Sequence, residues 1–267
     1  MMEKGRTRIL DRRPTGGSHY LLVLGNPFRT PFLPGQFVML AAAGGGDPFL
    51  KRPYSVYRTF PTSAERPEGE IRLLIKSIGR GSRQMAELPI GSPVEIVGPL
   101  GKPFVVQPET KLAVFVAGGI GVAPFVELAA SPAMRGLDKL ALVGGRSAVD
   151  VQAIEDLQAL GVETRTATED GTLGRKGFVT ALLEEFFAAG APPGTALFSC
   201  GPEPMMKAVA AIAGKAKLPC QLSLEAIMGC GFGVCLGCVV KNAAGHYVRV
   251  CREGPVMEIR ELGEFGE

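Results

Sequence analysis

The strongest chemical signal in this sequence is a group of cysteines near its end. Cys230, Cys235 and Cys238 lie in the stretch MGCGFGVCLGC, and Cys251 follows. Zinc sites usually combine two separate C-x2-C pairs, whereas C-x4-C-x2-C with one distant cysteine is the plant-type [2Fe–2S] spacing. The pattern predicts a [2Fe–2S] cluster on these four thiols, with structural zinc as the alternative. Nearby glycines would let backbone N–H groups point at the sulfur atoms: Gly229, Gly231, Gly233 and Gly237.

Two glycine-rich turns form a second chemical signal. VAGGIGVAP, Val116–Pro124, reads as a strand, a tight turn and a helix start, and LFSCGPEPMMKAV, Leu197–Val209, reads the same way. At the carboxyl ends of parallel strands, two such turns form a mouth for one dinucleotide. The spacing departs from G-x-G-x-x-G because Pro124 stands where the third glycine would, and a purely structural turn is the alternative. Cys200 either lies near the bound nucleotide, where a catalytic role is possible, or is a small buried apolar residue.

Two further stretches in the first third of the chain could bind phosphate. In KRPYSVY, Arg52 and Tyr54 lie on one face of a predicted strand and Ser55 on the other, so the strand could clamp a phosphate and pack an aromatic ring system. The alternative is an ordinary solvated strand. In IKSIGRGSRQMAEL, a strand runs into Gly79-Arg80-Gly81, and Ser82 is predicted to be the N-cap of a short helix.

The elements that must position these residues fall into two regimes that meet near Pro108. Before it, short β-rich runs alternate with turn residues, which predicts a small antiparallel barrel. After it, apolar strands alternate with helices, which predicts a doubly wound parallel sheet. The predicted strands are Tyr20–Leu24, Gln36–Leu40, Tyr54–Tyr57, Ile71–Ser77, Pro93–Val97, Leu112–Ala117, Leu140–Val143, Glu163–Ala167 and Ala196–Ser199. The predicted helices are Pro124–Ala130, Val149–Leu160, Val179–Ala188 and Pro204–Lys215.

Bulk composition excludes several classes of protein. The chain has 267 residues, 46% of them apolar, so it can form more than one core and is not expected to be disordered. A net charge of +3 without a basic run argues against a nucleic-acid partner or an anionic membrane surface. The longest uncharged stretch, Leu112–Val126, is shorter than the ~20 residues that a membrane helix needs. We expect a cytoplasmic protein whose thiols are reduced, and the remaining Cys220 is expected to be a buried free thiol.

In this order, the motifs make the chain resemble the ferredoxin–NADP reductase superfamily, and within it the electron-transfer subunits of class 1B dihydroorotate dehydrogenases. The resemblance implies an antiparallel FAD-binding β-barrel over residues 1–107, a doubly wound parallel-sheet α/β NAD-binding domain over 108–224 and a small [2Fe–2S] segment over 225–267. It implies that Arg52 contacts the FAD pyrophosphate and that the next residues line the isoalloxazine. The implied FAD residues are Arg52, Pro53, Tyr54, Ser55, Gly79, Gly81 and Ser82; the implied nicotinamide-nucleotide residues are Gly118, Gly119, Gly121, Pro124, Cys200, Gly201 and Pro202; and the implied cluster ligands are Cys230, Cys235, Cys238 and Cys251.

The resemblance also implies a function, an NAD-linked flavin and iron–sulfur oxidoreductase. Neither His19 nor His246 lies in a motif and no second flavin domain is evident, so dihydroorotate oxidation is expected on a partner that carries FMN. Electrons would pass from that FMN to the cluster, then to FAD and NAD⁺, in a heterotetramer with two copies of each subunit. Partners such as ferredoxin:NADP oxidoreductase or sulfide dehydrogenase subunits are alternatives, and a zinc-containing nucleotide sensor without flavin is a third. Arg146-Ser147 could hold the 2′-phosphate of NADP, but the resemblance favours NAD.

Overall fold

The computed structural model describes residues 2–263, and its first part is a curved antiparallel sheet. The strands run in the order β4-β3-β7-β1-β2-β6-β5, and β4 approaches β6 across the open side of the barrel. Leucine, isoleucine and valine side chains from β2, β3, β6 and β7 fill its interior. The elements are β1 (Glu3–Gly16), β2 (His19–Gly25), β3 (Phe37–Ala42), β4 (Arg52–Ser55), β5 (Arg58–Phe60), β6 (Glu70–Lys76), α1 (Arg80–Glu87) and β7 (Pro93–Leu100).

Strand β1 was not predicted, although it lies at the centre of this sheet. It pairs with β2 on one side and β7 on the other. Most of its side chains remain at least partly exposed and only Ile9 is buried, so the strand lacks the apolar alternation by which sequence patterns reveal strands. Backbone pairing, rather than side-chain burial, therefore specifies its place.

The second part is a parallel sheet with helices on both faces. Its parallel strands run in the order β11-β10-β9-β8-β12-β13, so the chain moves outward from β8 in one direction and then continues from β12 in the other. This is the predicted doubly wound fold, and the predicted fold class is confirmed. The elements are β8 (Leu112–Gly118), α2 (Ala123–Ala130), β9 (Asp138–Gly145), α3 (Ile154–Ala159), β10 (Glu163–Thr168), β11 (Arg175–Lys176), α4 (Val179–Ala188), β12 (Thr195–Cys200), α5 (Glu203–Ala216) and β13 (Cys220–Ser223).

One predicted helix is wrong in its extent. The segment predicted as a single helix over Val149–Leu160 consists of a 3₁₀ turn, Ala148–Asp150, followed by the short helix α3. Ala153 between them has a φ of +64°, a left-handed conformation that cannot continue a helix. The left-handed backbone of Ala153 therefore divides the segment that the sequence predicted as one helix.

The C-terminal part packs onto both preceding parts. Strands β14 (Val239–Lys241) and β15 (Tyr247–Arg249) form a hairpin, and β16 (Val256–Glu258) pairs antiparallel with β13 at the edge of the second sheet. Cys238, Val250 and Cys251 share one apolar core with Met39 of β3 and Leu222 of β13. The division into 1–107, 108–224 and 225–267 stays a prediction, and Met1 and residues 264–267 lie outside the described residues.

Polar contacts hold the barrel against the nucleotide domain at several points. The Glu127 carboxylate of α2 accepts hydrogen bonds from the backbone N–H and hydroxyl of Thr59, at 3.0 and 2.8 Å. Lys76 donates to Asp150 at 2.5 Å, and this hydrogen bond lowers the pKa of Asp150. These contacts join strands β5 and β6 of the barrel to α2 and to the segment that follows β9. No helix within residues 2–263 is long and apolar enough to cross a membrane.

Candidate functional site

Arg52 and Gly81, from the two predicted flavin elements, lie against each other. A Cβ on Gly81 would be only 2.9 Å from Arg52 Nε, so only glycine lets the guanidinium lie this close to the start of α1. No carboxylate in the described part of the chain forms an ion pair with Arg52. A fixed cation beside the first N–H groups of a helix, which lack intrahelical acceptors, is suited to a phosphate. The donor set fits the pyrophosphate of FAD.

Ser82 supports this helix start but does not cap it as predicted. Gly79 is the N-cap, and Ser82 is the third helical residue. Its hydroxyl accepts from the N–H groups of Ile78 and Gly79, both at 3.0 Å, and donates to the Gly79 carbonyl. The hydroxyl therefore holds the turn that leads into the helix. Tyr20 donates to the Ser82 carbonyl at 2.7 Å from β2, a contact for which the sequence offered no signal.

Strand β4 presents the other predicted flavin residues at the edge of the barrel sheet. All four residues from Arg52 to Ser55 are half-buried, so each retains surface that a ligand can contact. Burial raises the pKa of Tyr54 to about 12, so its phenol stays neutral. A small cavity lies beside Arg52, Tyr54 and Gly81. Pro53 pairs in register with Met39 of β3.

We expect Arg52→Ala to weaken FAD retention without unfolding the protein. Loss of a charge-assisted contact to phosphate costs about 1.5–3 kcal/mol, or roughly one to two decades in affinity. Flavin occupancy after gel filtration measures the effect. Lys51→Ala is the matched control, because Lys51 is equally charged but pairs with Glu95 at 2.8 Å. Full flavin occupancy in Arg52→Ala would show that Arg52 does not contact the FAD phosphates.

The two glycine-rich turns meet where the direction of the parallel sheet reverses. Strands β8 and β12 are neighbours, and both turns follow their carboxyl ends. A Cβ on Gly121 would overlap the Cys200 carbonyl, and one on Gly201 would be 2.8 Å from the Gly118 nitrogen. Nucleotides bind at such reversals in doubly wound sheets. Pro124 is a buried residue in the first turn of α2, and Pro202 immediately precedes α5.

Cys200 lies below this crevice rather than in it. Its side chain is buried, and burial raises the pKa of its thiol. Ser223 on the neighbouring strand β13 is a hydrogen-bond partner of the sulfur. A neutral, enclosed thiol favours the packing interpretation, while the backbone of Cys200 shapes the turn. Cys220 is also buried, as expected for a free thiol. Met205 of α5 packs against the first turn, because its sulfur lies 2.7 Å from a Cβ built on Gly118. The sequence offered no signal for this contact.

We expect Gly119→Val to raise the KM for NADH by about tenfold, because a side chain would displace the pyrophosphate from the backbone and forfeit about one hydrogen bond. Gly119 has a φ of +54°, and nothing lies within 4 Å of its Cβ position. Gly136→Val is the matched control. Gly136 has a φ of +75° and equally open surroundings, but it precedes β9 and so lies at the amino ends of the parallel strands. Steady-state kinetics at constant flavin content decides. Equal KM changes in both variants would indicate backbone strain alone.

The four predicted cluster cysteines come together as two pairs. Cys230 is hydrogen-bonded to Cys235, and Cys251 to Cys238. Cys230 also lies near enough to Cys251 to raise the pKa of the Cys251 thiol. No three His, Cys, Asp or Glu side chains of residues 2–263 converge as a single metal ion requires. The C-x4-C-x2-C spacing with one distant cysteine is that of a plant-type [2Fe–2S] cluster and not of the C-x2-C pairs that bind zinc.

The two pairs differ in exposure, and Cys230 and Cys251 differ in acidity. Cys235 is exposed and Cys230 half-buried, whereas Cys238 and Cys251 are buried. Although burial opposes it, backbone N–H groups of Cys235, Phe232 and Val234 lower the pKa of Cys230 to about 6. Burial and the Cys238 thiol raise the pKa of Cys251 to about 12. The site therefore has an outer pair, which includes the readily ionised Cys230, and an inner, enclosed pair.

The cysteine loop lies directly against strands β3 and β7 of the barrel, next to the strand that carries predicted flavin residues. Gly231 has a φ of +81°, and a Cβ there would overlap Met39 Cγ and approach Leu100 Cδ1 to 3.3 Å. Met39 is the register partner of Pro53. One strand thus separates the loop from the predicted flavin residues. This close approach is not evident from the sequence, because most of the chain lies between Met39 and Gly231.

Several apolar residues of the cysteine segment are exposed; we call them the apolar rim. Ile227 is 92% exposed, Val234 74% and Leu236 59%. Leu236 also has a φ of +57°, a costly conformation for a bulky residue. Large exposed apolar surface commonly marks interaction sites. The rim consists of Ile227, Phe232, Val234, Leu236, Val239 and Tyr247.

The fold and the three sites define a flavin- and iron–sulfur-dependent reductase of the ferredoxin-reductase class. Two family models match: the oxidoreductase FAD-binding domain over residues 20–104 and the iron–sulfur cluster binding domain of dihydroorotate dehydrogenase B over residues 225–263. FAD and an iron–sulfur cluster are thereby confirmed as cofactors. The chain belongs to the family of dihydroorotate dehydrogenase B (NAD⁺) electron transfer subunits, as its relatives demonstrate.

Two relatives named as such subunits illustrate this membership. The protein from Caldanaerobacter subterraneus subsp. tengcongensis is 35% identical over 98% of this chain and 99% of its own length. The one from Geobacillus kaustophilus is 34% identical with the same coverage. Among solved structures, an NADH-dependent reduced ferredoxin-NADP oxidoreductase matches with a TM-score of 0.82 at 23% identity, over 96% of this chain and 88% of that chain. A ferredoxin NADP⁺ reductase from Neisseria gonorrhoeae matches with a TM-score of 0.62 at 21% identity, over 77% and 88%. The structural likenesses support the fold.

Proposed function

We propose that this chain is the electron-transfer subunit of a dihydroorotate dehydrogenase, carrying electrons from the FMN of a catalytic subunit to NAD⁺. The observation that carries the proposal is the position of the paired cysteines. The outer pair lies at the surface within the apolar rim, and the loop between the cysteines packs on Met39, beside Pro53. A [2Fe–2S] cluster bound there would lie between a docked partner and the flavin.

The chemistry comes from the cofactors: flavin exchanges electron pairs with nicotinamide and single electrons with an iron–sulfur cluster. The chain's own residues bind, orient and enclose them. Arg52 and the start of α1 would hold the FAD pyrophosphate, and β4 would line the ring system. Gly118–Gly121 and Cys200–Pro202 would bring NAD⁺ to the same cleft. The backbone N–H groups around Cys230 would stabilise thiolate ligands.

The partner is proposed to be an FMN-containing catalytic subunit that covers the apolar rim. The rim supplies the exposed apolar surface that a stable subunit interface buries. Two copies of each subunit, as the resemblance implies, would make a heterotetramer. We place the complex in the cytoplasm, where reduced thiols remain available as cluster ligands.

Co-purification tests the proposal. The chain, expressed with the catalytic subunit of its own organism, should elute as one complex containing FMN, FAD and iron. That complex should reduce NAD⁺ with dihydroorotate, and the isolated chain should oxidise NADH only with artificial acceptors. A different FMN-free partner, or dihydroorotate oxidation that does not depend on this chain, would contradict the proposal. The NADP alternative is tested in the same assay by replacing NAD⁺ with NADP⁺.

A further inference from the structure

Arg249 connects the loop between Cys230 and Cys235 to the turn that contains Cys251, and no sequence motif included it. Its Nε and Nη2 donate to the two carboxylate oxygens of Glu253, at 3.0 and 2.5 Å. Its Nη1 donates to the Gly233 carbonyl at 3.1 Å, in the loop between Cys230 and Cys235. Its backbone N–H also donates to Glu253 Oε2 at 2.8 Å. All three guanidinium nitrogens of Arg249 therefore donate hydrogen bonds, either to Glu253 or to Gly233.

The peptide that Arg249 holds is itself in contact with a predicted cluster ligand. The N–H of Gly233 donates to the Cys251 sulfur, while the Gly233 carbonyl accepts from Arg249. Gly233 has a φ of +87°, and a Cβ there would be 2.6 Å from Arg252 Cγ. The conformation of this one residue therefore sets both contacts, and the hydrogen bond from Arg249 keeps it in place.

The charge of Arg249 also faces the inner cysteine pair. Arg249 lies close enough to Cys251 and Cys238 to interact electrostatically with their thiolate forms, which are the forms that bind iron. Its Nη2 also forms an ion pair with Glu253 Oε1 at 2.5 Å. The two side chains are about one-third exposed, at 35% and 34%. Simple surface ion pairs contribute little to stability, but this one also fixes backbone on both sides of the site.

We propose that Arg249, held by Glu253, is a positioning residue for the iron–sulfur cluster: it locks the Gly233 peptide so that the cysteine loop and the Cys251 turn stay closed around the metal. The inference rests on the cluster part of the proposed function. It assigns the Arg249–Glu253 pair to retention of the cluster, and not to contact with substrate or nucleotide. Partners that orient metal ligands typically change metal affinity by 10–100-fold when removed.

The test measures cluster loss, not turnover. Purified variants are incubated with an iron chelator, and the decay of iron–sulfur absorption is followed while protein-bound FAD is quantified. We expect Arg249→Gln to lose its cluster at least about tenfold faster than the wild type, with FAD content unchanged. Arg249→Lys should behave similarly, because a lysine keeps the charge but cannot form the three-way fork. Glu253→Gln should accelerate loss less, since Arg249 would retain its bond to Gly233.

Arg252→Gln is the matched control. Arg252 is an exposed arginine that packs against Gly233 but has no ion-pair partner within residues 2–263. Its loss rate should stay within about twofold of the wild type, since exposed charges away from hydrogen bonds have small effects. Wild-type decay in Arg249→Gln, wild-type decay in Arg249→Lys, or equally fast loss in Arg252→Gln would each overturn the proposal. Iron in the untreated wild-type protein tests the cluster assignment separately.

Discussion

Cys235→Ser is expected to abolish electron transfer between NADH and the catalytic subunit while NADH oxidation with an artificial flavin acceptor continues. Cys235 is the exposed member of the outer pair, and its loss removes a ligand that the cluster cannot replace. The predicted flavin and nucleotide residues lie on other elements, β4, α1, β8 and β12, so they should remain intact. Transfer to the partner should fall to the background measured without that partner.

Three measurements make this expectation decisive. Iron content and visible absorption should show loss of the cluster, FAD content should equal that of the wild type, and a binding assay should establish whether the complex still forms. Cys220→Ser is the matched control, because Cys220 is a buried thiol of β13 outside the cysteine pattern. If cluster-free Cys235→Ser binds its partner and still exchanges electrons at near wild-type rate, the route from FMN through the cluster to FAD and NAD⁺ is wrong.

Leu236→Asn is expected to weaken binding of the catalytic subunit by about 30–100-fold, equivalent to roughly 2–3 kcal/mol, as for a central apolar residue of an interface. Leu236 is 59% exposed between Cys235 and Cys238 and has a left-handed backbone. Asparagine tolerates that conformation better than leucine, so the substitution should not destabilise the free subunit. Strain that persists at an exposed leucine is consistent with a binding role.

Titration of the purified catalytic subunit with each variant measures this effect, and thermal unfolding of the free subunit checks the fold. Phe178→Asn is the matched control, since Phe178 is 68% exposed but precedes α4 in the nucleotide domain, away from the apolar rim. Unchanged affinity in Leu236→Asn, or an equal loss in Phe178→Asn, would argue against docking on the rim. Iron content must match that of the wild type, because Leu236 lies between two cluster cysteines.

Local chemistry was predictable because it depends on short stretches of backbone. The C-x4-C-x2-C spacing, the turns at Gly118–Gly121 and Cys200–Pro202 and the apolar parallel strands each constrain a few neighbouring residues. Helix α4 begins and ends where its pattern predicted. Two errors were also local, because Ala153 and Gly79 adopt conformations that residue type alone does not dictate, whereas β1 was missed because its place depends on pairing with β2 and β7.

Residue types and their spacing predicted the cofactors and the order of the parts, since each cofactor demands particular residue types at fixed spacing. How the parts meet became evident from the three-dimensional fold. Arg52 lies over Gly81, Gly231 on Met39, and Arg249 beside Gly233, and none of these contacts has a sequence period that could reveal it. Such contacts between distant segments arise from the packing of whole elements against a shared core, which depends on shape and burial in three dimensions.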